Sequence, residues 1–377
     1  MITLPALWLA AALATLPSFQ PTDEACLALA KKIEASVAAG KGAWVDQNFD
    51  VDTMMDRVLR DAPGDEQTKQ GFRAGLKKGF NLGKSTSAAM GASGSFTFLR
   101  LRTVNGRKQA LFRLLMNGPF NYHDYVLEEA PQGGVRVVDI YIYLTGEFIS
   151  QSFRRMYIAA MASEPGAVGK LVGNQNEYAL ALKKLQTMNQ LTAQGKPAEA
   201  LKVFHGLPES LQKEKNALVL RLQAGSKVSP KESMDALEAL RKAYPADPSI
   251  GVLSLDPLFL AKKYDEVIEA VDDLDKALGG DPFLHSFRAS VYLEKGDLDK
   301  ARASAKKSIE MDQALAAGYW ALVSISLRAK TFRETVEWLN AIEKNLGVQF
   351  KDLTTVPIYA EFIKSPEYEE WAKSRKK

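Results

Sequence analysis

The sequence has almost none of the side chains that build disulfides and metal sites. It contains one cysteine, Cys26, and three histidines, His123, His205 and His285, which lie far apart in the chain. A single cysteine cannot form an internal disulfide, and the histidines lack the short ligand spacing of zinc sites. We therefore expect no metal and no bound cofactor, and a fold that depends on apolar packing.

The chain also has little excess of either charge. Its 49 Lys and Arg residues nearly balance its 45 Asp and Glu residues, so the formal net charge is +4 over 377 residues. Proteins that bind nucleic acid neutralise phosphates with a concentrated surplus of basic side chains. The composition therefore predicts no nucleic-acid partner.

An apolar run without charged residues stands at the start of the sequence, from Ile2 to Leu16. It is too short to span a bilayer comfortably, and Ala12-Leu13-Ala14 adds the small-x-small pattern of a cleavage site. We interpret residues 1–20 as an export signal, although no basic residue precedes the apolar run. Export without disulfides is typical of the bacterial periplasm; the alternative is an uncleaved membrane anchor.

Residues 21–166 combine helical and strand patterns. Apolar residues recur at helical spacing in the first part, and four later segments alternate in the manner of strands. A helix follows from Gly146 to Met161. This order predicts an α+β domain of helices plus a four-stranded antiparallel sheet. The predicted strands are Ser95–Thr103, Gln109–Met116, Tyr122–Glu128 and Val135–Leu144.

The segment Gly79–Thr86 resembles a phosphate-binding loop. However, three residues instead of four separate its glycines. It also follows an amphipathic helix, from about Glu66 to Leu82, where a phosphate loop would follow a buried strand. We interpret this segment as a helix end followed by a loop.

The second half of the chain repeats with a period of 34 residues. Tyr264, Leu298 and Phe332 stand 34 apart, each at a turn between two amphipathic helical segments. This pattern resembles the tetratricopeptide repeat family, whose helical hairpins stack into a solenoid with a binding groove. The resemblance implies an all-α solenoid of about five hairpins over residues 167–349. Residues 350–377 are expected to cap the last hairpin.

The last predicted strand and the helix after it carry a second resemblance. Gly134–Ile140, followed by Gly146 and then Ser152–Tyr157, is similar to the nuclear-transport-factor-2-like cone fold. It is also similar to the periplasmic phospholipid-binding protein of the bacterial Mla pathway. In those families an apolar-Asp-apolar step precedes a Gly and a helix with aromatic and basic residues. The resemblance implies a cone-like domain over residues 21–166 and raises a lipid-binding role.

Polar and aromatic residues on the third and fourth predicted strands form the first candidate site. In a cone fold they would line a pocket, with Asp139 as the general base of a small-molecule enzyme. Alternatively, this face is solvated or covered by the repeats, and Asp139 holds a turn or a backbone amide. The candidate residues are His123, Tyr125, Asp139, Tyr141 and Tyr143.

The inward positions of the first helices in the repeats form the second candidate site. Tetratricopeptide domains that clamp carboxylate tails use Lys and Asn at such positions, whereas aromatic residues here predict an apolar or helical peptide. Alternatively, these aromatic residues pack between repeats. The candidate groove residues are Phe283, Phe287, Ser290, Trp320 and Ser324.

These patterns favour a non-enzymatic binding protein of the bacterial cell envelope, whose repeats bind a protein or peptide partner. The first alternative is lipid binding or transport by the N-terminal domain, which requires a deep apolar cavity between the sheet and the helices. The second is an enzyme, which requires Asp139 in a cleft open to solvent. Each alternative makes a different demand on the structure.

Overall fold

The computed structural model describes residues 20–91, 94–116, 119–130, 133–161 and 175–375, without the side chains of 175–179. Residues 1–19 of the predicted export signal and the predicted domain boundary at residue 166 lie outside the described residues. The chain forms two compact units. The first contains the described residues up to Ile142 together with Phe148–Arg154, and the second contains Tyr143–Glu147 and the residues from Arg155 onward.

Five helices precede the sheet in the first unit. Helix α1 buries Cys26, Ala30, Ile33 and Val37 at helical spacing, so one apolar stripe faces the interior. The thiol of Cys26 is therefore a small apolar core group, and burial raises its pKa. The helices are α1 (Asp23–Ala38), α2 (Ala43–Gln47), α3 (Val51–Leu59), α4 (Glu66–Gly79) and α5 (Leu82–Met90).

The segment Gly79–Thr86 is not the loop predicted from the sequence, because α5 begins at Leu82. The carboxylate of Asp46 accepts hydrogen bonds from the backbone amides of Gly83 (2.6 Å) and Lys84 (3.2 Å), and so caps this helix from a distant part of the chain. A Cβ atom at Gly83 would lie 2.2 Å from the carbonyl oxygen of Gly42. The glycine therefore permits close packing of α2 and α5.

The strands form one antiparallel sheet in chain order, with five strands instead of the four predicted. Asn105 and Gly106 both have positive φ and join the first two strands by a two-residue turn. The unpredicted fifth strand occupies two residues where a helix was expected, and two residues are too few to show an alternating pattern. The strands are β1 (Ser95–Val104), β2 (Arg107–Leu115), β3 (Phe120–Glu129), β4 (Val135–Ile142) and β5 (Glu147–Phe148).

Helix α6 (Ile149–Met161) follows the sheet, and the rest of the described chain is helical. Consecutive helices pair into hairpins, and neighbouring hairpins contact one another. The paired helices are α7 (Gln175–Ala193) with α8 (Pro197–His205), α10 (Lys215–Gly225) with α11 (Pro230–Ala243), α12 (Ile250–Leu260) with α13 (Tyr264–Leu278), α14 (Pro282–Lys295) with α15 (Leu298–Met311), and α16 (Ala316–Ala329) with α17 (Phe332–Leu346), while the short α9 (Glu209–Gln212) lies between the first two hairpins.

The 34-residue spacing marks the same structural position in each hairpin. Tyr264, Leu298 and Phe332 are the first residues of α13, α15 and α17. The fourth residue of every second helix is fully buried, and a large side chain there would push the neighbouring helix away. These buried residues are Ala200, Ser233, Val267, Ala301 and Thr335.

The C-terminal segment packs against the last hairpin. Three short 3-10 turns at Leu353–Thr355, Pro357–Tyr359 and Phe362–Lys364 lead into α18 (Pro366–Ser374). The Trp371 indole nitrogen donates a hydrogen bond to the Asn340 side chain at 2.8 Å. The segment therefore covers apolar residues of the last hairpin that would otherwise face water.

Four of the five hairpin turns place one residue in the left-handed backbone region, two positions before the second helix; the turn between α10 and α11 does not. Glycine fills this position at Gly195 and Gly296, whereas lysine fills it at Lys262 and Lys330. A side chain in this region costs roughly 1–2 kcal/mol, which glycine avoids. The turns at Lys262 and Lys330 are therefore strained, because the residue in the left-handed region is not glycine.

We expect the exchange of Lys262 for glycine to stabilise the second unit by about 0.5–1 kcal/mol, after the greater entropy loss of glycine is subtracted. The matched change, Gly296→Ala, should destabilise it by about 1 kcal/mol. No atom lies within 4 Å of a Cβ atom at Gly296, so steric clash would not contribute. Urea unfolding followed by circular dichroism measures both; shifts of the same sign would contradict the prediction.

Candidate functional site

The structure does not bring the candidate residues of the first unit together on one face of the sheet. Directly paired residues of neighbouring strands share a face. His123 and Tyr125 of β3 share a face with isoleucines of β4. Asp139 and Tyr141 of β4 share a face with other residues of β3. The pairs are His123 with Ile142, Tyr125 with Ile140, Asp139 with Val126, and Tyr141 with Asp124.

A β-bulge causes this separation. The β3–β4 pairing shifts by one residue between Val126 and Leu127, which leaves Val138 as an extra residue on β4. Between the bulge and the β3–β4 turn, Leu127 pairs with Val137. If the same register continued past the bulge, His123 would pair with Tyr141. A shift of one residue exchanges the faces of all the following side chains.

The bulge is held in place by α3 and the segment before it. Arg57 donates from Nη1 to the Val138 carbonyl at 3.2 Å and from Nη2 to Glu128 at 2.6 Å. The backbone amide of Asp50 donates to the Val137 carbonyl at 2.8 Å. The bulge therefore has partners for its displaced backbone groups.

His123 lies in the core and is 5% exposed. The side-chain oxygen of Asn121 accepts the Tyr122 amide (2.8 Å), so its nitrogen is the atom that faces His123 Nε2, at 3.1 Å. Nε2 must then accept, and the proton of the neutral ring is on Nδ1. Nδ1 has no hydrogen-bond partner among the described residues, and burial lowers the pKa of His123 to about 4.

Tyr125 belongs to the same aromatic cluster as His123. Its ring centroid lies 4.8 Å from that of Phe112 and 6.1 Å from that of Phe96. Its hydroxyl lies near Thr86 without a well-formed hydrogen bond, and burial raises the pKa of Tyr125. Both residues are therefore packed into the core of the first unit, where almost no solvent reaches them.

Asp139 is also buried, with 3% exposure. Its carboxylate accepts hydrogen bonds from the Ser150 hydroxyl (2.6 Å), the Ser150 amide (3.2 Å) and the Ile140 amide (2.9 Å). Burial raises the pKa of Asp139, and these hydrogen bonds and Arg57 partly offset the rise. The carboxylate ties β4 to the first turn of α6, in agreement with the structural alternative stated for it.

The remaining candidates in this set are packed aromatic residues. Tyr141 is 8% exposed and meets the Phe148 ring edge-on at a centroid distance of 5.2 Å. Tyr143 follows the end of β4, is 1% exposed and belongs to the second unit. Neither hydroxyl-bearing ring stands in an open cleft.

The sequence reading missed a buried ion pair on the face that carries Asp139. Arg102 donates from Nε and Nη2 to the two carboxylate oxygens of Asp124, which is 2% exposed. Alternation along β1 and β3 could have suggested a charged cluster, but the pairing register was needed to join the two residues. A two-bond pair of this kind fixes side-chain geometry.

The predicted groove residues lie on α14 and α16 of the second unit. Trp320 is 37% exposed and its ring meets Phe350 edge-on at 5.9 Å, so the C-terminal segment covers part of it. The hydroxyls of Ser290 and Ser324 donate to the carbonyls four residues earlier in their own helices, at 3.3 and 2.9 Å. Phe283 and Phe287 are half-buried.

A cleft of about 600 Å³ lies elsewhere in the second unit, between α7, α10 and α12. These are the first helices of three successive hairpins, which are the elements expected to line a groove. Its volume falls in the range of ligand pockets. Apolar residues of α10 and α12 form much of its wall: Leu222, Val252, Leu253, Pro257, Phe259 and Leu260.

Two charged residues also line this cleft. Asp256 has no hydrogen-bond or ion-pair partner among the described residues. Solvent reaches its side chain, but the surrounding protein still raises the pKa of its carboxyl group by desolvation. The Lys227 ammonium donates to the Thr192 carbonyl at 3.3 Å. The cleft therefore combines apolar wall with one free carboxylate.

Pro257 adds a backbone feature to the same cleft. It lies inside α12 and has no N–H group, so it cannot donate to the Leu253 carbonyl, one turn earlier. The sequence showed this proline, but only the structure places it in a helix that lines a cleft.

Two other classes of site are absent from the described part of the chain. No group of three or more His, Cys, Asp or Glu side chains there could hold a metal ion. No helix there is both long and apolar enough to cross a membrane.

Comparison with known proteins finds no matching protein family, no matching curated protein and no matching solved structure.

We expect acid to destabilise the first unit through His123. Its pKa is about 4 in the folded protein against 6.5 for an ordinary histidine, so the folded state resists protonation. This contribution is intact above pH 6.5 and falls by about 3 kcal/mol as the pH drops toward 4. His123→Gln keeps an acceptor for Asn121 without titrating in this range.

The measurement is urea unfolding at pH 7.5 and at pH 4.5. Unfolding of the first unit is monitored by hydrogen exchange in peptides that cover β2 and β3. Wild type should lose about 2–3 kcal/mol more stability than His123→Gln between the two values. All other titrating groups are shared and cancel in the comparison. Equal losses in the two proteins would show that His123 is not the titrating group.

A structural role for Asp139 predicts opposite outcomes for two substitutions. Asp139→Asn keeps an acceptor for the Ser150 and Ile140 amides. It also removes a negative charge that the fold disfavours, as the raised pKa of the Asp139 carboxyl group indicates. Its thermal midpoint at pH 7 should equal or exceed that of wild type. Asp139→Ala strands the Ser150 amide and should cost about 2–4 kcal/mol. Similar large losses in both variants would contradict this role.

Proposed function

We propose that the protein is a non-enzymatic binding protein of the bacterial cell envelope and that its helical repeats bind a segment of a partner protein. The observation that carries the proposal is the cleft between α7, α10 and α12. It runs across the first helices of three hairpins, on elements that the tetratricopeptide-like spacing assigns to a groove. Export is supported by the apolar run at Ile2–Leu16 followed by a small-x-small pattern.

The chemistry of the cleft favours a helical or extended peptide. An apolar wall buries one face of an amphipathic segment, and polar groups at fixed places set its orientation. The partner segment should carry apolar side chains against Leu253 and Leu260 and a basic side chain against Asp256.

The same observations bear on the alternatives. The enzyme hypothesis needs an accessible general base, and Asp139 is buried with all its contacts to backbone and side-chain donors of the first unit. The lipid hypothesis keeps the local sequence resemblance as its support. The binding proposal has in addition a cleft of suitable size and chemistry on the expected helices.

The test places a photo-reactive amino acid at Leu260, in the native host, with Met311 as the matched control. The two side chains are equally accessible, at 44% and 43%, but Met311 lies at the end of α15, outside the cleft. Irradiation should join a discrete partner polypeptide at Leu260 and not at Met311. Mass spectrometry then identifies the crosslinked segment.

A synthetic peptide of that segment should bind the purified protein. Leu260→Asp should weaken its binding at least tenfold, because a charge would face the apolar surface of the peptide, while Met311→Asp should leave it unchanged. Equal adducts at both positions, none at Leu260, or an unaffected Leu260→Asp variant would refute the cleft as the binding site.

A further inference from the structure

A second cleft, of about 610 Å³, lies within the first two hairpins. It is bounded by α8, α9, α10 and α11; it shares α10 with the cleft of the proposed function but none of that cleft's lining residues. Phe204 and Leu218, which are 2% and 4% exposed, form its apolar floor, and the more accessible Ala239 and Ala243 complete the apolar lining. The volume of the cleft has room for a compact apolar group.

The charged residues around this cleft are predominantly basic. Lys213 forms an exposed ion pair with Glu209 at 2.6 Å, which also lowers the pKa of Glu209. Arg221 and Lys242 have no acidic partner among the described residues. The cleft is therefore lined by three cationic side chains and one carboxylate, and two of the positive charges have no ion-pair partner among the described residues.

Arg221 is the best positioned of these cations. Its guanidinium carbon lies 5.3 Å from the centre of the Phe204 ring, within the distance of a cation–π contact. Its Nε atom is buried without a hydrogen-bond acceptor. A partly buried guanidinium without a counter-charge is costly, and a carboxylate matches its planar pattern of donors.

The rim of the cleft is held by hydrogen bonds from side chains to backbone carbonyls. The Tyr244 hydroxyl donates to the Lys213 carbonyl at 3.1 Å, and the Gln212 side chain donates to the Leu207 carbonyl at 2.9 Å. These bonds fix α9 and the end of α11 on either side of the cleft. The basic groups are therefore mounted on a pre-formed site, which reduces the entropy cost of binding.

We propose that this cleft binds an organic anion, with a carboxylate on Arg221 and an apolar body against Phe204 and Leu218. Lys242 adds long-range attraction from the rim. The proposal is independent of the peptide-binding function, because it rests on a different cleft and on different residues.

The test uses 4-phenylbutyrate as the probe and the full chain, with saturation-transfer NMR titrations to obtain Kd. The neutral amide of the same acid tests the charge, and inorganic phosphate tests the apolar body. Arg221→Gln should weaken 4-phenylbutyrate binding at least tenfold, and Lys242→Gln should weaken it about two- to fivefold. Lys231→Gln, on the same helix as Lys242 but outside the cleft, should have no effect.

Arg221→Lys guards against loss of folding, because it keeps the charge and the stem but removes the planar pattern of donors. It should bind the acid more weakly than wild type and more tightly than Arg221→Gln. Equal Kd values for the acid and its amide would overturn the proposal. Equal Kd values for 4-phenylbutyrate and inorganic phosphate, or for wild type and Arg221→Gln, would also overturn it.

Discussion

The close approach of neighbouring helices is the constraint on which the second unit depends. It requires a small or compact buried side chain at the fourth residue of every second helix, from Ala200 to Thr335. Where that residue is polar, a neighbouring hydroxyl satisfies it: Ser233 meets Ser226 and Thr335 meets Ser326, both at 2.9 Å. The constraint sets the hairpin spacing, and the spacing brings the first helices close enough to form a shared cleft.

This dependence explains why the repeats were readable from the sequence. The spacing of Tyr264, Leu298 and Phe332 arises from packing within and between adjacent hairpins, which repeats along the chain and leaves a period. The position of the cleft left no such signal. Its wall is formed by the side chains that three separate helices direct toward one another. The aromatic residues predicted to line a groove are on α14 and α16, in later hairpins.

The sheet shows the opposite case. Strand positions followed from alternation, and the predicted boundaries differ from the observed ones by only a few residues. The shared face of His123 and Asp139 did not follow, because one bulged residue, Val138, exchanges the faces of β4 beyond it. The bulge is supported by Arg57, from a helix about eighty residues earlier. The cap that Asp46 provides for α5 is likewise a contact between distant parts of the chain.

The aromatic side chains at the end of the second unit have a consequence for spectroscopy. Three of the five tryptophans, Trp320, Trp338 and Trp371, lie in the last hairpin or in the segment that covers it. Trp44 lies in the first unit. No tryptophan of the described residues lines either cleft. Intrinsic fluorescence therefore reports chiefly on the C-terminal end of the repeats, and a ligand can occupy either cleft while the emission spectrum hardly changes.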